Sequence, residues 1–361
     1  MGKKGKKSKV DVDVNLPFIS ICTPTFNRRP FIPIMIKCFE HQTYPKDKIE
    51  WIIVDDGTDK IEDLVKHIPQ VKYFSFKEKL TLGIKRNIAN DNSTGEIIIY
   101  MDDDDYYPPE RFSHAVDVLN KNPKALCAGS SAMLIYFKHI NKMYQFGPYG
   151  PNHATAATFA FRRELLKQTR FNELSSVAEE KQFLKDYTIP FVQLESIKSI
   201  LVFSHVHNSF DKKELLNQMP NPHVHETVLT PSDIIKQPEI LNFFTVDIDI
   251  LLSKYEFGNT NYKPDVVKQI AEIKKTREEM INKQMAYQNS MQLLNNPQFL
   301  QSKINDLTNT INSLKIENSE LKDKVQYLDN KIKQIITDHI QKKTSVKEVE
   351  HSSSGPKITI V

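Results

Sequence analysis

Cysteine, arginine and long apolar runs are scarce in this 361-residue chain. Cys22, Cys38 and Cys127 are odd in number and show no Cys-x-x-Cys spacing, which argues against a disulfide scaffold or a thiolate zinc centre and fits a reducing compartment. No run of about 18 apolar residues is present, so no membrane span is expected. The lysine-rich start has no apolar stretch behind it to act as a secretory signal, and Lys6 stands where a myristoylation motif needs Ser or Thr. A cytoplasmic location is expected, the host's cytoplasm if the chain is viral. Only eight of the 49 basic residues are arginine. Five lysines lie within residues 1–10, and removing them takes the net charge from +4 to −1. The basic excess is a tail, and a nucleic-acid partner for the body is not expected.

Hydrophobic residues make up 39% and charged residues 26%, below the usual globular apolar share. That balance suggests a soluble domain joined to something more polar. Residues 1–16 read as a disordered basic arm. Short apolar strands are then expected at 19–23 (ISICT), 51–55 (WIIVD), 71–76 (VKYFSF) and 96–101 (EIIIYM), with helices over 31–39, 60–67 and 84–89 between them. Strands apolar throughout, alternating with amphipathic helices, predict an α/β fold with a mostly parallel sheet covered on both faces. A helix over 110–120, strands over 132–138, 142–146 and 196–206, irregular chain over 211–262 and a long polar helix over 264–296 complete the reading.

Ligands on such sheets bind at the carboxyl ends of the strands. Asp55 and Asp56 follow WIIV, and Asp102 to Asp105 follow IIIYM. Four adjacent aspartates repel if buried together, and a divalent cation at an oxygen-rich site removes that cost. The competing explanation is an exposed acidic turn at the start of the helix near Pro109.

The runs ISICTPTFNRRPF, WIIVDDGTD, GIKRNIA and TGEIIIYMDDDDYYPPERF resemble, in order and spacing over about residues 18–210, a family 2 glycosyltransferase of the GT-A fold, Rossmann-like in its sheet. The resemblance implies transfer of a sugar from a nucleotide-sugar, usually a UDP-sugar, with inversion. It places Pro24, Thr25 and Phe26 along the base and Asp56, with Asp55 beside it, at the uracil. Lys85 and Arg86 fall near the base and diphosphate. Asp102, Asp104 and Asp105 match the DxDD motif; Asp104 is then the metal ligand proper, for Mn2+ or Mg2+, and Asp102 reaches the ribose or a metal water. Glu180, in VAEEKQFLKDY, matches the general base, where the family has aspartate. His205, in SHVHNSFD, matches a further metal ligand or diphosphate contact. The implied acceptor is a hydroxyl on a glycan, a protein or a lipid-linked saccharide.

Residues 304–335 lie outside the resemblance. Ile304, Leu307, Ile311, Leu314, Asn318, Leu321, Val325, Leu328, Ile332 and Ile335 keep a 3-4 spacing with β-branched residues at a and mostly leucine at d. One asparagine at a, and Glu317–Lys322 and Lys324–Asp329 at g and e′, predict a parallel coiled-coil homodimer. The expected organisation is an arm at 1–16, a GT-A domain at 17–262, a helical linker at 263–300, a coiled coil at 301–341 and a flexible tail at 342–361. A competing function is a catalytically degenerate scaffold dimerised by its coil. A nucleotidyltransferase would need a glycine-rich phosphate loop, and TPTFNRRP has no glycine.

Overall fold

The computed structural model describes residues 16–218 and 221–351. The basic arm expected over 1–16 lies outside the described residues up to residue 15, as does the expected tail from residue 352 onward. The chain divides into a unit ending at Lys275 and a second unit from Thr276.

In the first unit the strands are β1 (Ile19–Thr25), β2 (Ile49–Asp55), β3 (Val71–Ser75), β4 (Ile97–Tyr100), β5 (Cys127–Gly129), β6 (Met133–Phe137), β7 (Lys142–Phe146), β8 (Ala160–Arg162), β9 (Phe191–Gln193), β10 (Leu201–Ser204) and β11 (Val224–Glu226). The helices are α1 (Ile32–Glu40), α2 (Glu62–Val65), α3 (Leu82–Asp91), α4 (Arg111–Lys121), α5 (Glu180–Phe183), α6 (Pro231–Ile234), α7 (Pro238–Asn242) and α8 (Ile248–Ser253). A seven-stranded sheet has the order β3-β2-β1-β4-β8-β5-β9, and a four-stranded sheet the order β10-β6-β7-β11. Strands β1 to β4 are mutually parallel, and β8 runs antiparallel to both β4 and β5. This is the expected α/β architecture with a mostly parallel sheet.

Period-two alternation sorts the parallel strands' side chains onto two faces. Ile21, Trp51, Ile53, Ile97 and Ile99 pack with Met35 and Phe39 of α1 and Phe112 and Val116 of α4. Cys22, Ile52, Val54, Ile98 and Tyr100 pack on the other face with Ala89 of α3, Phe171 and Phe183. Trp51, fully buried, stacks on Phe39 at 4.5 Å and donates its indole N–H to Thr23 Oγ1 at 2.9 Å. All three cysteines are buried free thiols.

The strand order fixes where a ligand can sit. The chain leaves β1 toward β2 on one side and reaches β4 on the other, so a crevice opens between the carboxyl ends of β1 and β4.

The long polar helix is α9 (Pro264–Leu294), and α10 (Pro297–His351) follows. Pro297 cannot continue the α9 ladder but is suited to a first helical position, and Asn296 caps α10 by accepting the N–H groups of Gln298 and Phe299 at 2.9 and 3.3 Å. Helix α10 runs past the expected end at residue 341, because no glycine or proline interrupts 342–351. The first unit likewise extends beyond the expected boundary at 262: the first turns of α9 belong to it.

Candidate active site

The turn after β1 and the turn after β4 face each other across the crevice. Asn27, in the left-handed region at φ 52°, reverses the chain after Phe26. Its amide holds the turn, accepting Asp59 N–H at 3.0 Å and donating to Phe257 O at 3.0 Å. Phe26 and Arg28 thereby both reach the crevice. The acidic turn is anchored from beneath: the Thr23 hydroxyl donates to Met101 O at 2.6 Å, and the Asp102 N–H donates to Tyr107 Oη at 2.8 Å.

The resulting cleft, about 140 Å3 in volume, is walled by Pro24 and Phe26 on one side and Asp102, Asp103 and Asp104 on another. Lys85, Arg86 and Leu80 line its floor with Arg28, Lys79 and Lys263. Helix α3 supplies Lys85 and Arg86, starting from Thr81, whose hydroxyl accepts the Ile84 N–H. Gly83 is required there, because a Cβ would run into the backbone of Asn172. That close approach lets α3 pack on the loop leading to Glu179, with Gly83 N–H donating to Ser175 O at 2.8 Å.

Of the expected residues, Pro24, Phe26, Lys85, Arg86, Asp102 and Asp104 meet at the cleft. Thr25 and Asp55 do not line it. Asp55 is fully buried and builds the β2 turn, accepting from Gly57 N–H at 2.8 Å, Ile61 N–H at 3.2 Å and Tyr73 O–H at 2.5 Å. Asp56, 1% exposed, lies beneath the cleft: it takes Lys85 Nζ at 2.7 Å and the Leu80 N–H at 2.6 Å, fixing the floor.

The acidic run splits by function. Arg28 spans it, with Nη2 at 3.0 Å from Asp104 Oδ2 and Nε at 3.4 Å from Asp103 Oδ1. His205 Nε2 lies 3.2 Å from the same Asp104 oxygen. Burial lowers the His205 pKa to about 3, so the ring is neutral. Burial raises Asp103 to about 7, against the pull of Arg28, whereas Arg28 and His205 hold Asp104 well below the usual carboxylate range. Asp105 turns away: its Oδ1 accepts Phe203 N–H of β10 at 3.1 Å, and burial raises its pKa well above the ordinary value. The four expected metal ligands, Asp102, Asp104, Asp105 and His205, therefore do not converge. Among the described residues, no group of three His, Cys, Asp or Glu side chains is arranged to hold a cation. The physical reason is Arg28, whose guanidinium supplies the counter-charge. The donor set still fits a hard divalent ion in part, because Asp102 Oδ1 is buried without a hydrogen-bond partner and Asp104 and His205 sit side by side.

Arg86 joins the cleft to the 179–180 pair. Its Nε donates to Glu179 Oε1 at 2.8 Å, its Nη2 lies 3.6 Å from Asp102, and its guanidinium stacks over Tyr100 at 4.4 Å. Glu180, the first residue of α5, does not line the cleft itself. Burial, then the neighbouring Glu179, raises its pKa to about 7. Sequence reasoning missed Arg28, Lys79, Asp103, Glu179 and Lys263. Arg28 and Glu179 lie within quoted motifs, but the ion pairs that define their roles span 75 residues or more and leave no local signal.

Residues 20–170 match the family model described as Glycosyl transferase family 2. An uncharacterized glycosyltransferase of Haemophilus influenzae is 24% identical over 209 residues, covering 55% of this chain and 80% of that protein. Among solved structures, Staphylococcus aureus TarS 1–349 in complex with UDP-GlcNAc is 20% identical with a TM-score of 0.40, covering 52% of this chain and 58% of that one. The mannosyltransferase PcManGT from Pyrobaculum calidifontis, in complex with GDP-Man and Mn2+, is 19% identical with a TM-score of 0.42, covering 54% and 60%. The chain thus spans about 60% of the length of those structures.

Proposed function

We propose, from the match of residues 20–170 to the glycosyl transferase family 2 model, that this chain is a glycosyltransferase of that family and moves a sugar from a UDP-sugar to an acceptor hydroxyl with inversion, aided by a divalent metal. The observation that carries the reading is the cleft at the β1/β4 crevice, where Asp102–Asp104 face Arg28, Lys85 and Arg86. The base of the nucleotide packs along Pro24 and Phe26. Glu180 takes the proton of the acceptor hydroxyl, and a carboxyl titrating near 7 is poised to do so at neutral pH. The freed oxygen attacks the anomeric carbon on the face opposite the diphosphate, the bond from that carbon to the phosphate oxygen breaks, and the nucleoside diphosphate leaves. Arg86 and Lys85 stabilise the charge that develops on the leaving group. Mn2+ or Mg2+, held by Asp102 and Asp104 with His205 beside them, would supply further neutralisation of the diphosphate. The acceptor is a glycan, protein or lipid-linked hydroxyl.

Residues 304–335 join two copies as a parallel homodimer. The apolar a and d side chains are 51–65% exposed in the single chain, a continuous stripe with Asn318 as its polar member. A scaffold without catalysis would have no use for three adjacent carboxylates gathered with five cationic side chains in one cleft, which disfavours that alternative.

The test is a panel of nucleotide-sugars read by thermal shift and donor hydrolysis, with and without Mn2+. A ligand at a hundredfold excess over its Kd stabilises by about 2.7 kcal/mol. Absence of both stabilisation and hydrolysis with every nucleotide-sugar refutes the proposal.

A further inference from the structure

Five cationic side chains line the cleft: Arg28, Lys79, Lys85, Arg86 and Lys263. Four have a carboxylate at bonding distance. Arg28 pairs with Asp103 and Asp104, Lys79 with Asp265 at 2.6 Å, Lys85 with Asp56 at 2.7 Å, and Arg86 with Glu179 at 2.8 Å. Lys263 differs. It is 5% exposed, yet among the described residues no carboxylate lies within ion-pair distance of its ammonium. Its Nζ donates to Ser209 Oγ at 3.2 Å and lies 6.0 Å from the centre of the Phe26 ring. Asp103 and Asp104 attract it only from farther away.

An ammonium withdrawn from water without an ionic partner is costly to the fold, and the arrival of an anion relieves that cost. The surroundings favour an anion of more than one charge. Lys79 and Lys85 approach the same Phe26 ring at 5.2 and 5.8 Å, so three ammonium groups surround one aromatic face. Lys263 directly precedes α9, a helix of 31 residues whose first N–H groups add partial positive charge at that point. The first turn of α9 is fixed in place: Asp265 accepts from Ser176 Oγ at 2.5 Å as well as from Lys79, and Gln269 Oε1 accepts the Ser176 N–H at 2.8 Å.

We propose that Lys263 is a donor-binding residue that meets the diphosphate of the nucleotide-sugar, so that the start of α9, outside the family-matched residues 20–170, completes the donor site. This rests on reading the cleft as the site of a nucleoside diphosphate. The phosphate oxygens supply the missing counter-charge, and Ser209, released or retained, couples the 204–211 segment to donor occupancy.

The experiment is isothermal titration of the full chain with UDP and with uridine, in Mg2+ buffer, for wild type, Lys263→Met and Lys263→Arg. Lys263→Met should weaken UDP binding by about tenfold to a hundredfold, the worth of a charge-assisted hydrogen bond, and leave uridine binding unchanged. Lys263→Arg should restore most of the UDP affinity. Unchanged UDP affinity in Lys263→Met, or a parallel loss for UDP and uridine, overturns the assignment. If Lys263→Met does not fold, Lys263→Gln, which keeps a donor for Ser209, decides by the same two criteria. Failure of wild type to bind either UDP or UDP-sugars would instead overturn the proposed function, and this inference with it.

Discussion

Glu180→Gln should make the protein more stable and less active, and the two effects should separate with pH. Burial and the adjacent Glu179 move the Glu180 carboxyl from 4.5 to about 7, against the opposing pull of Arg86. The folded state therefore prefers the protonated form. Its stabilising contribution is complete below 4.5, where the unfolded chain is protonated too, and is lost as pH rises through 7. Holding the ionised group in the fold at pH 8 costs about 3 kcal/mol, of which about 2 kcal/mol develops between pH 5 and pH 8. Glutamine has the same shape and no charge, so the variant escapes that cost. Urea denaturation at the two pH values should show Glu180→Gln ahead of wild type by a margin that grows with pH. Transfer to acceptor should fall by about 10²–10⁴-fold, the usual contribution of a general base, while UDP-sugar affinity stays the same. In wild type, transfer should rise with pH through about 7. Undiminished transfer, or a stability difference equal at pH 5 and pH 8, would refute the reasoning.

Asp104→Asn should abolish turnover and metal-dependent nucleotide binding but leave the melting transition in place, because Arg28 keeps Asp103; turnover and calorimetric titration check this. Arg86→Met and Glu179→Gln should each destabilise by about 3–5 kcal/mol in urea, because each strands a buried charge, and the double variant should cost less than the two singles combined. Asn318→Ile should raise the thermal stability of the coil and shift its assembly toward trimers or mixtures by light scattering. Deleting residues 300–361 should give a monomer that still hydrolyses donor; a truncation that remains dimeric would place the dimer contact elsewhere.

The central sheet was legible because β1, β2 and β4 are apolar on both faces, a pattern that survives without tertiary context. Strands β5 and β9, CAG and FVQ, were not expected, since three residues carry no period and exist only by pairing with β8 and with each other. The helix expected over 60–67 shrinks to Glu62–Val65, with Asp55 spending its carboxylate on the preceding turn. Adjacent aspartates show the same limit at the site. Sequence places Asp55 with Asp56 and Asp104 with Asp105, but which carboxylate faces the cleft depends on distant partners: Tyr73 and Phe203 claim Asp55 and Asp105. Lys263, in Tyr-Lys-Pro-Asp ahead of a polar helix, looks like linker until Phe26 and Ser209 are found beside it.

The chain contains a single tryptophan, and it is Trp51, buried on the sheet face that packs against α1. Its emission is therefore an optical reporter of the first unit alone, since residues 276–361 contribute no indole. Ellipticity weights the molecule the other way, because α9 and α10 hold 31 and 55 residues of continuous helix. The two signals need not coincide on heating or with dilution. A fall in ellipticity at constant emission would mark melting of the long helices with the sheet intact, and a single melting temperature drawn from either signal would describe only the unit that produced it.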